Sequence, residues 1–401
     1  MNATSAPRSI RASSLLLALT LSVVTMSAVH AQGAQPEAQV TAQPDIIDLE
    51  FNQARRQFVW TDAIGRLWLG NVRESDCMFS PRNGKGVLVD RDALTIAQTL
   101  TIPINGPEWV HTADGAKIAY TKLLPNSSPT RGNARLALAT ELAPGQWSTE
   151  YLSPELARNG PYASKDEDDA HPRISYAAAN GTRMWREIDD PSTEEAIPLA
   201  QNGQRSVRWV EGERALIYVA PVNGLNQVHR YDVDSKQLTQ LTFDDGAKDL
   251  KSVPWMWRAP EFGGEHLFFT IADYRELRVY RQLPDAQGQL AWTVIFSTRI
   301  PPWMKIMSPE PFVYEGRSYV YFVSSVGSDT YASMIWLSNI DASAPSTVKL
   351  VDNTVKRQRS DPEVFFCADG AYLYYNRADQ ASVPAQQEGV WRVFTGLAPG
   401  R

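Results

Sequence analysis

The apolar positions of this chain fall in short runs separated by Gly, Asp and Asn, and no stretch repeats at helical spacing for long enough to predict a long helix. The clearest unit is DPEVFFCADGAYLYYNR, Asp361 to Arg377: an apolar strand, an Asp-Gly turn and a second strand rich in aromatic residues. It recurs. Related hairpins begin at Gly106 (GPEWVHTADGAKIAYTK), His171 (HPRISYAAANGTRMWRE), Ser206 (SVRWVEGERALIYVA), Val253 (VPWMWRAPEFGGEHLFFT) and Ser308 (SPEPFVYEGRSYVYFVSS). A weaker seventh copy, IIDLEFNQARRQFVW, runs from Ile46 to Trp60, with Arg55 and Arg56 in place of the turn residues.

One small antiparallel sheet cannot bury both of its faces, whereas successive sheets stacked around an axis can. The repeat therefore predicts an all-β propeller of four-stranded blades occupying residues 44–401. At about 40 to 50 residues per blade, seven blades fit better than six. The last repeat supplies its hairpin and one further strand, EGVWRVF from Glu388, and leaves little chain for a fourth. Residues around Gln39 to Ala42 are expected to add that strand and close the ring.

Two segments break the pattern. Between Arg73 and Leu100 the first blade is irregular. RNGPYASKDEDDA, from Arg158, reads as a charged loop ahead of a third repeat that is one strand short. Lys165 to Asp169 lacks the spacing of a Ca²⁺ loop.

Met1 to Ala31 carries two arginines, an apolar run from Leu15 to Val24 and small residues before a polar stretch, the pattern of a cleavable export signal. Gln32 to Gln43 then reads as a mobile leader. The expectation is a periplasmic or secreted monomer that does not span a membrane. Losing the signal removes two of the 39 basic residues and no acid, so 37 stand against 45 acidic, a formal charge of −8. That balance disfavours nucleic acid, which needs a basic face. The two cysteines, Cys77 and Cys367, lie in the first and last repeats. Cys367 reads first as a small buried apolar residue; a disulfide is the alternative, decided by whether the Cα atoms come within about 7 Å.

The histidines have no metal-ligand spacing, and neither phosphate-binding glycine pattern is present, so no metal or cofactor is expected. What remains is a position just after the repeat's proline or its equivalent. Glu108, Arg173, Arg208, Trp255, Glu310 and Glu363 stand there and are expected to ring one end of the channel. They could form a polar ligand site, with Trp255 stacking on a sugar or peptide, or a set of charges that pair between blades. Of the other tryptophans, Trp257 and Trp303 share a loop or strand-start position.

The fourth repeat, SVRWVEGERALIYVAPVNGLNQVHRYDVDSKQLTQLTFDDG, resembles the TolB family of periplasmic (WD40-like) propeller repeats, in which a strand ending in Asp, a turn and a strand ending in LT recur. This resemblance implies a blade, with no chemistry attached. The Asp361 and Ser308 hairpins are also similar to those of arabinanase-type glycoside hydrolases, five-bladed propellers with three acids near such a proline. That likeness implies Asp361, with Glu310 and Glu363, as candidate catalytic acids. At the matching position, however, the other copies carry Gly106, His171, Val253 and Ser308. The leading expectation is thus a binding or scaffolding propeller for a protein partner or cell-envelope glycan. A polysaccharide-active hydrolase or lyase is the alternative.

Overall fold

The computed structural model describes residues 35–98, 105–166, 170–200, 207–243, 252–326, 329–341 and 343–400. The export signal expected in Met1–Ala31 lies outside the described residues.

The described residues fold into seven antiparallel sheets. Their first strands are Ile47–Asn52, Glu108–Thr112, Asn159–Ala163, Arg208–Trp209, Ser252–Ala259, Met304–Tyr314 and Gln358–Cys367. Each first strand touches that of the next sheet, and the seventh touches the first. The chain is a seven-bladed β-propeller with these strands around its axis. Both faces of a blade are covered by its neighbours, so its strands read as nearly continuous apolar runs. Ala215–Ala220, ALIYVA, is buried at every residue.

Among the described residues an apolar cluster fills each gap between blades. Phe58, Trp60 and Phe79 of the first blade meet Phe365 and Tyr374 of the seventh. Trp257 and Phe269 of the fifth meet Val320 and Phe322 of the sixth. The aromatic residues of the repeat are mostly this mortar, as large rings contribute heavily to burial.

The ring closes through the N-terminal segment. Glu37–Thr41 forms the outer strand of the seventh blade, antiparallel to Gln386–Phe394. A disulfide joins Cys77 of the first blade to Cys367 of the seventh, with Cα atoms 6.1 Å apart. This corrects the first reading of Cys367 as a plain buried thiol. Ring closure brings the two ends of the repeat array together, and both residues are buried at that seam.

Two further corrections concern the irregular segments. The charged stretch before the third hairpin contains that blade's inner strand, Asn159–Ala163, so the hairpin beginning at His171 supplies the second and third strands, Arg173–Ala177 and Arg183–Glu187. The blade lacks no strand. In the first blade the outer position is shared by two short pieces, Phe79–Ser80 and Val87–Asp90, both paired to Leu67–Val72.

Candidate functional site

Five inner strands start with the same device. Register slips between Ile47 and Glu50, Asn159 and Tyr162, Ser252 and Trp255, Met307 and Glu310, and Ser360 and Glu363. In each the first unpaired residue is left-handed: Asp48 at φ 48°, Gly160 at 61°, Val253 at 52°, Ser308 at 43° and Asp361 at 53°. The second is Leu49 or a proline. Non-glycine residues seldom adopt positive φ, and a β-branched valine least of all. A bulge of this kind bends the strand and re-aims the side chain that follows.

The side chains that follow the bulges are one set. Glu50, Tyr162, Trp255, Glu310 and Glu363 come one from each of these blades, and Glu108 and Arg208 hold the corresponding place in the second and fourth. Six of the seven line a cavity of about 240 Å³ with Asp48, Lys165, Tyr321 and Asp361. The seventh, Tyr162, stacks on the Arg208 guanidinium, 4.2 Å from ring centre to Cζ. Gly106 belongs to the same construction: a Cβ there would meet the Cβ of Asp48 at 2.1 Å.

Of the residues singled out from sequence, Glu108, Arg208, Trp255, Glu310, Glu363 and Asp361 are thus brought together. Arg173 is not. It lies on the second strand of its blade, buried, with its guanidinium 4.9 Å from the Trp209 ring and donating to the Glu213 carbonyl at 3.2 Å. The physical reason is the strand shift in the third blade, which puts Tyr162 where Arg173 was expected. Gly160-Pro161-Tyr162 echoes Gly106-Pro107-Glu108 and carried that signal in the sequence. Asp48, Glu50 and Lys165 were also missed, the first two because the Ile46 repeat has no proline. Trp257 is buried, its indole N–H donating to Ser318 Oγ at 3.0 Å, and Trp303 is largely exposed.

The electrostatics are unbalanced. Lys165 donates to Glu50 and, at 2.8 Å, to Glu108, which also accepts from Asn105 Nδ2 at 2.5 Å. Burial would lower the Lys165 ammonium, but these two carboxylates more than reverse that and hold it protonated. Arg208 lies between two rings, 4.2 Å from Tyr162 and 4.4 Å from Trp255. Tyr321 donates to Glu310 at 2.8 Å. Among the described residues the cavity therefore holds six carboxyl groups and two side-chain cations.

Burial pushes Glu50 up to about 7, with Lys165 pulling down and Glu108 pushing up. Glu310 also reaches about 7 through burial, against the lowering effects of Arg208 and Tyr321. Asp361 rises to about 6 through burial and the charge of Glu50. Burial and neighbouring carboxylates raise Asp48 and Glu363 well above the usual range. Proximity of like charges in a low dielectric is the common cause.

These shifts set a pH dependence. A carboxyl whose folded value is raised keeps a proton that the unfolded chain has already released, so stability falls as pH rises through that interval. For Glu50 and Glu310 the interval runs from 4.5 to about 7, and for Asp361 from 3.8 to about 6. The melting temperature is expected to rise by a few degrees when pH is lowered from 8 to about 5.5. Calorimetry at constant ionic strength checks this; a flat or inverted profile contradicts it.

Among the described residues no group of three His, Cys, Asp or Glu is placed to hold a metal ion, and no helix is long and apolar enough to cross a membrane.

No family model and no curated protein sequence matches the chain. Solved structures do. YCF48 bound to D1 peptide is similar at 12% identity over 91% of this chain and 96% of that one, with a TM-score of 0.50. The likeness is one of fold. TolB from Acinetobacter baumannii is also similar, at 14% identity over 85% of this chain and 79% of that one, TM-score 0.39. Saccharomyces cerevisiae Sqt1 has 10% identity over 92% and 100%, TM-score 0.47.

Proposed function

We propose that this protein is an exported binding propeller, periplasmic or secreted, that holds a protein segment or a cell-envelope glycan where its inner strands begin. The observation that carries this reading is the register: each blade offers one side chain at the same place, and six of these seven line one open cavity. A set of charges serving stability alone would be expected to cancel by pairing. Here Lys165 accounts for Glu50 and Glu108 only. The similar propeller YCF48 is seen bound to D1 peptide, and a peptide segment is among the occupants proposed for this cavity.

A second reading has its own support. Carboxyls brought to about 6 and about 7 in one cavity are suited to proton transfer near neutral pH. A polysaccharide-active hydrolase or lyase using Asp361, Glu310 or Glu363 follows from that.

One experiment separates the two. The protein is screened against polysaccharides and envelope extracts by thermal shift and by release of reducing or unsaturated sugar. A shift without product, lost in Trp255→Ala, is the expected result. Product release abolished by Glu310→Gln or Asp361→Asn establishes the enzyme instead, and no response to any extract removes both readings.

A further inference from the structure

The ring of inner-strand side chains is polarised. The described charged side chains that blades six, seven, one and two contribute to it are all acids: Glu310, then Asp361 and Glu363, then Asp48 and Glu50, then Glu108. Blades three, four and five contribute Tyr162, Arg208 and Trp255. Among the described residues the eight charged groups of the cavity, six carboxylates against Lys165 and Arg208, carry a formal −4 when fully ionised.

The two internal cations answer this charge only in part, Arg208 lowering Glu310 and Asp361 without pairing to either. Lys165 is spent on Glu50 and Glu108. Arg208 is held face-on between its two rings, and among the described residues it makes no ion pair; its Nε is shielded and has no hydrogen-bond partner. Asp48, on the acidic side, has one carboxyl oxygen that is likewise shielded and without a partner. Buried polar atoms in native proteins are nearly always satisfied, so an orphan of this kind in a cavity wall points to something that comes from outside. Among the described residues no three carboxylates converge as a metal ion requires. They are spread around a space large enough for a polyatomic group.

A second cavity, of about 250 Å³, adjoins the first and shares Lys165, Arg208, Trp255 and Pro311 with it. Its remaining wall is largely apolar, with Trp257, Phe312 and Val313. Neither cavity alone reaches the range of about 300 to 1,000 Å³ usual for small-molecule sites, so an occupant of ordinary size would span both.

We infer that this paired cavity takes an organic cation, with an ammonium or guanidinium group seated against Asp48, Asp361 and Glu363 and an apolar or aromatic body lying past Trp255 toward Phe312. The inference deepens the binding reading and rests on it. It also specifies the chemistry: an amine borne on a flat or apolar frame, including a basic side chain of a peptide, and not an anionic sugar. Seating the cation displaces the protons these carboxyls hold in its absence.

Calorimetric titration of the full chain at pH 6.5 tests it with three probes that share one body: tryptamine, 3-methylindole and indole-3-propionate. Tryptamine is expected to bind, with measurable proton release in buffers of different ionisation enthalpy, and the other two to bind at least about tenfold more weakly. Asp48→Asn with Asp361→Asn is expected to weaken tryptamine by a similar factor; asparagine tolerates the left-handed backbone at both positions. Glu363→Gln is the second variant should the double one not fold. Equal or tighter binding of indole-3-propionate, or no tryptamine binding at millimolar concentration, overturns the inference. If tryptamine fails while a glycan or extract still gives a Trp255-dependent shift, the binding propeller survives without its cation. Failure of both removes the site.

Discussion

Glu37→Ala is expected to destabilise the protein by about 3 to 5 kcal/mol, the usual cost of removing one partner from a buried ion pair. The Glu37 carboxylate sits on the closing strand and accepts from Arg359 Nε at 2.8 Å, Arg359 Nη2 at 2.7 Å and Tyr375 Oη at 2.7 Å. The Arg359 side chain has 0% exposure, so it cannot turn to water when its partner is lost. It would keep only its bonds to the Ser333, Arg357 and Val355 carbonyls. Burial alone would raise the Glu37 carboxyl, but Arg359 and Tyr375 bring it below 4.5. A depressed folded value means that the stabilisation is present above the unfolded value and is lost as pH falls through the folded one. The difference in melting temperature between wild type and variant should therefore be large at pH 7 and shrink below pH 4.5. No difference at either pH would show that the closing strand is held by its ladder alone, and a difference unchanged between pH 7 and pH 3 would show that Glu37 acts otherwise than through its charge.

That this strand belongs to the last blade was legible before any coordinates, and the reason is arithmetic: EGVWRVF leaves too little chain for a fourth strand. The blades were legible because each buries both faces and repeats one hairpin. Where the repeat marks its inner strand by proline and an acid or aromatic, as at Glu108, Glu310 and Glu363, the site residue followed too. Arg173 fails for a physical reason: PRISYA is as apolar as an inner strand, since second strands are buried equally, and apolarity does not distinguish one from the other. The inner strand NGPYA was hidden inside a polar run because its neighbour Lys165 serves the cavity. Charge that would ordinarily mark a solvated loop marked a pairing with Glu50 and Glu108 instead.

The site's imbalance was less legible than its members. Sequence places glutamates and arginines at one register and suggests that they cancel. The structure separates them, stacking Arg208 between aromatic rings and leaving Asp361 and Glu363 with no salt bridge among the described residues. Side-chain direction decides this, and direction depends on bulges that local sequence announces only partly. Left-handed Asp48, Val253, Ser308 and Asp361 show that strain is accepted at the same place in four blades. Such strain persists where a surrounding structure over-determines it, and it collects at ligand sites.

The second large effect concerns the seam. Replacing both cysteines, Cys77→Ala with Cys367→Ala, is expected to cost about 2 to 5 kcal/mol. The cross-link spans 290 residues, and a link that long restricts the unfolded chain greatly. Alanine is the suitable replacement, since a serine hydroxyl would be buried among Phe58, Phe79 and Phe365. The folded seam should persist: Tyr374 Oη and Arg392 Nη1 donate to the Cys77 carbonyl, at 2.6 and 3.0 Å, and neither bond needs the sulfur. The variant should thus keep its fold and its ligand affinity while melting earlier. Because both cysteines are buried, wild type should resist reductant at neutral pH until it is warmed toward unfolding, and then melt like the variant. Denaturant titration with and without reductant measures both. An unchanged midpoint would mean that the closing strand alone keeps the ring shut. A large loss that adds to that of Glu37→Ala within about 0.5 kcal/mol would mean that strand and disulfide act as independent locks, one on the folded state and one on the unfolded chain.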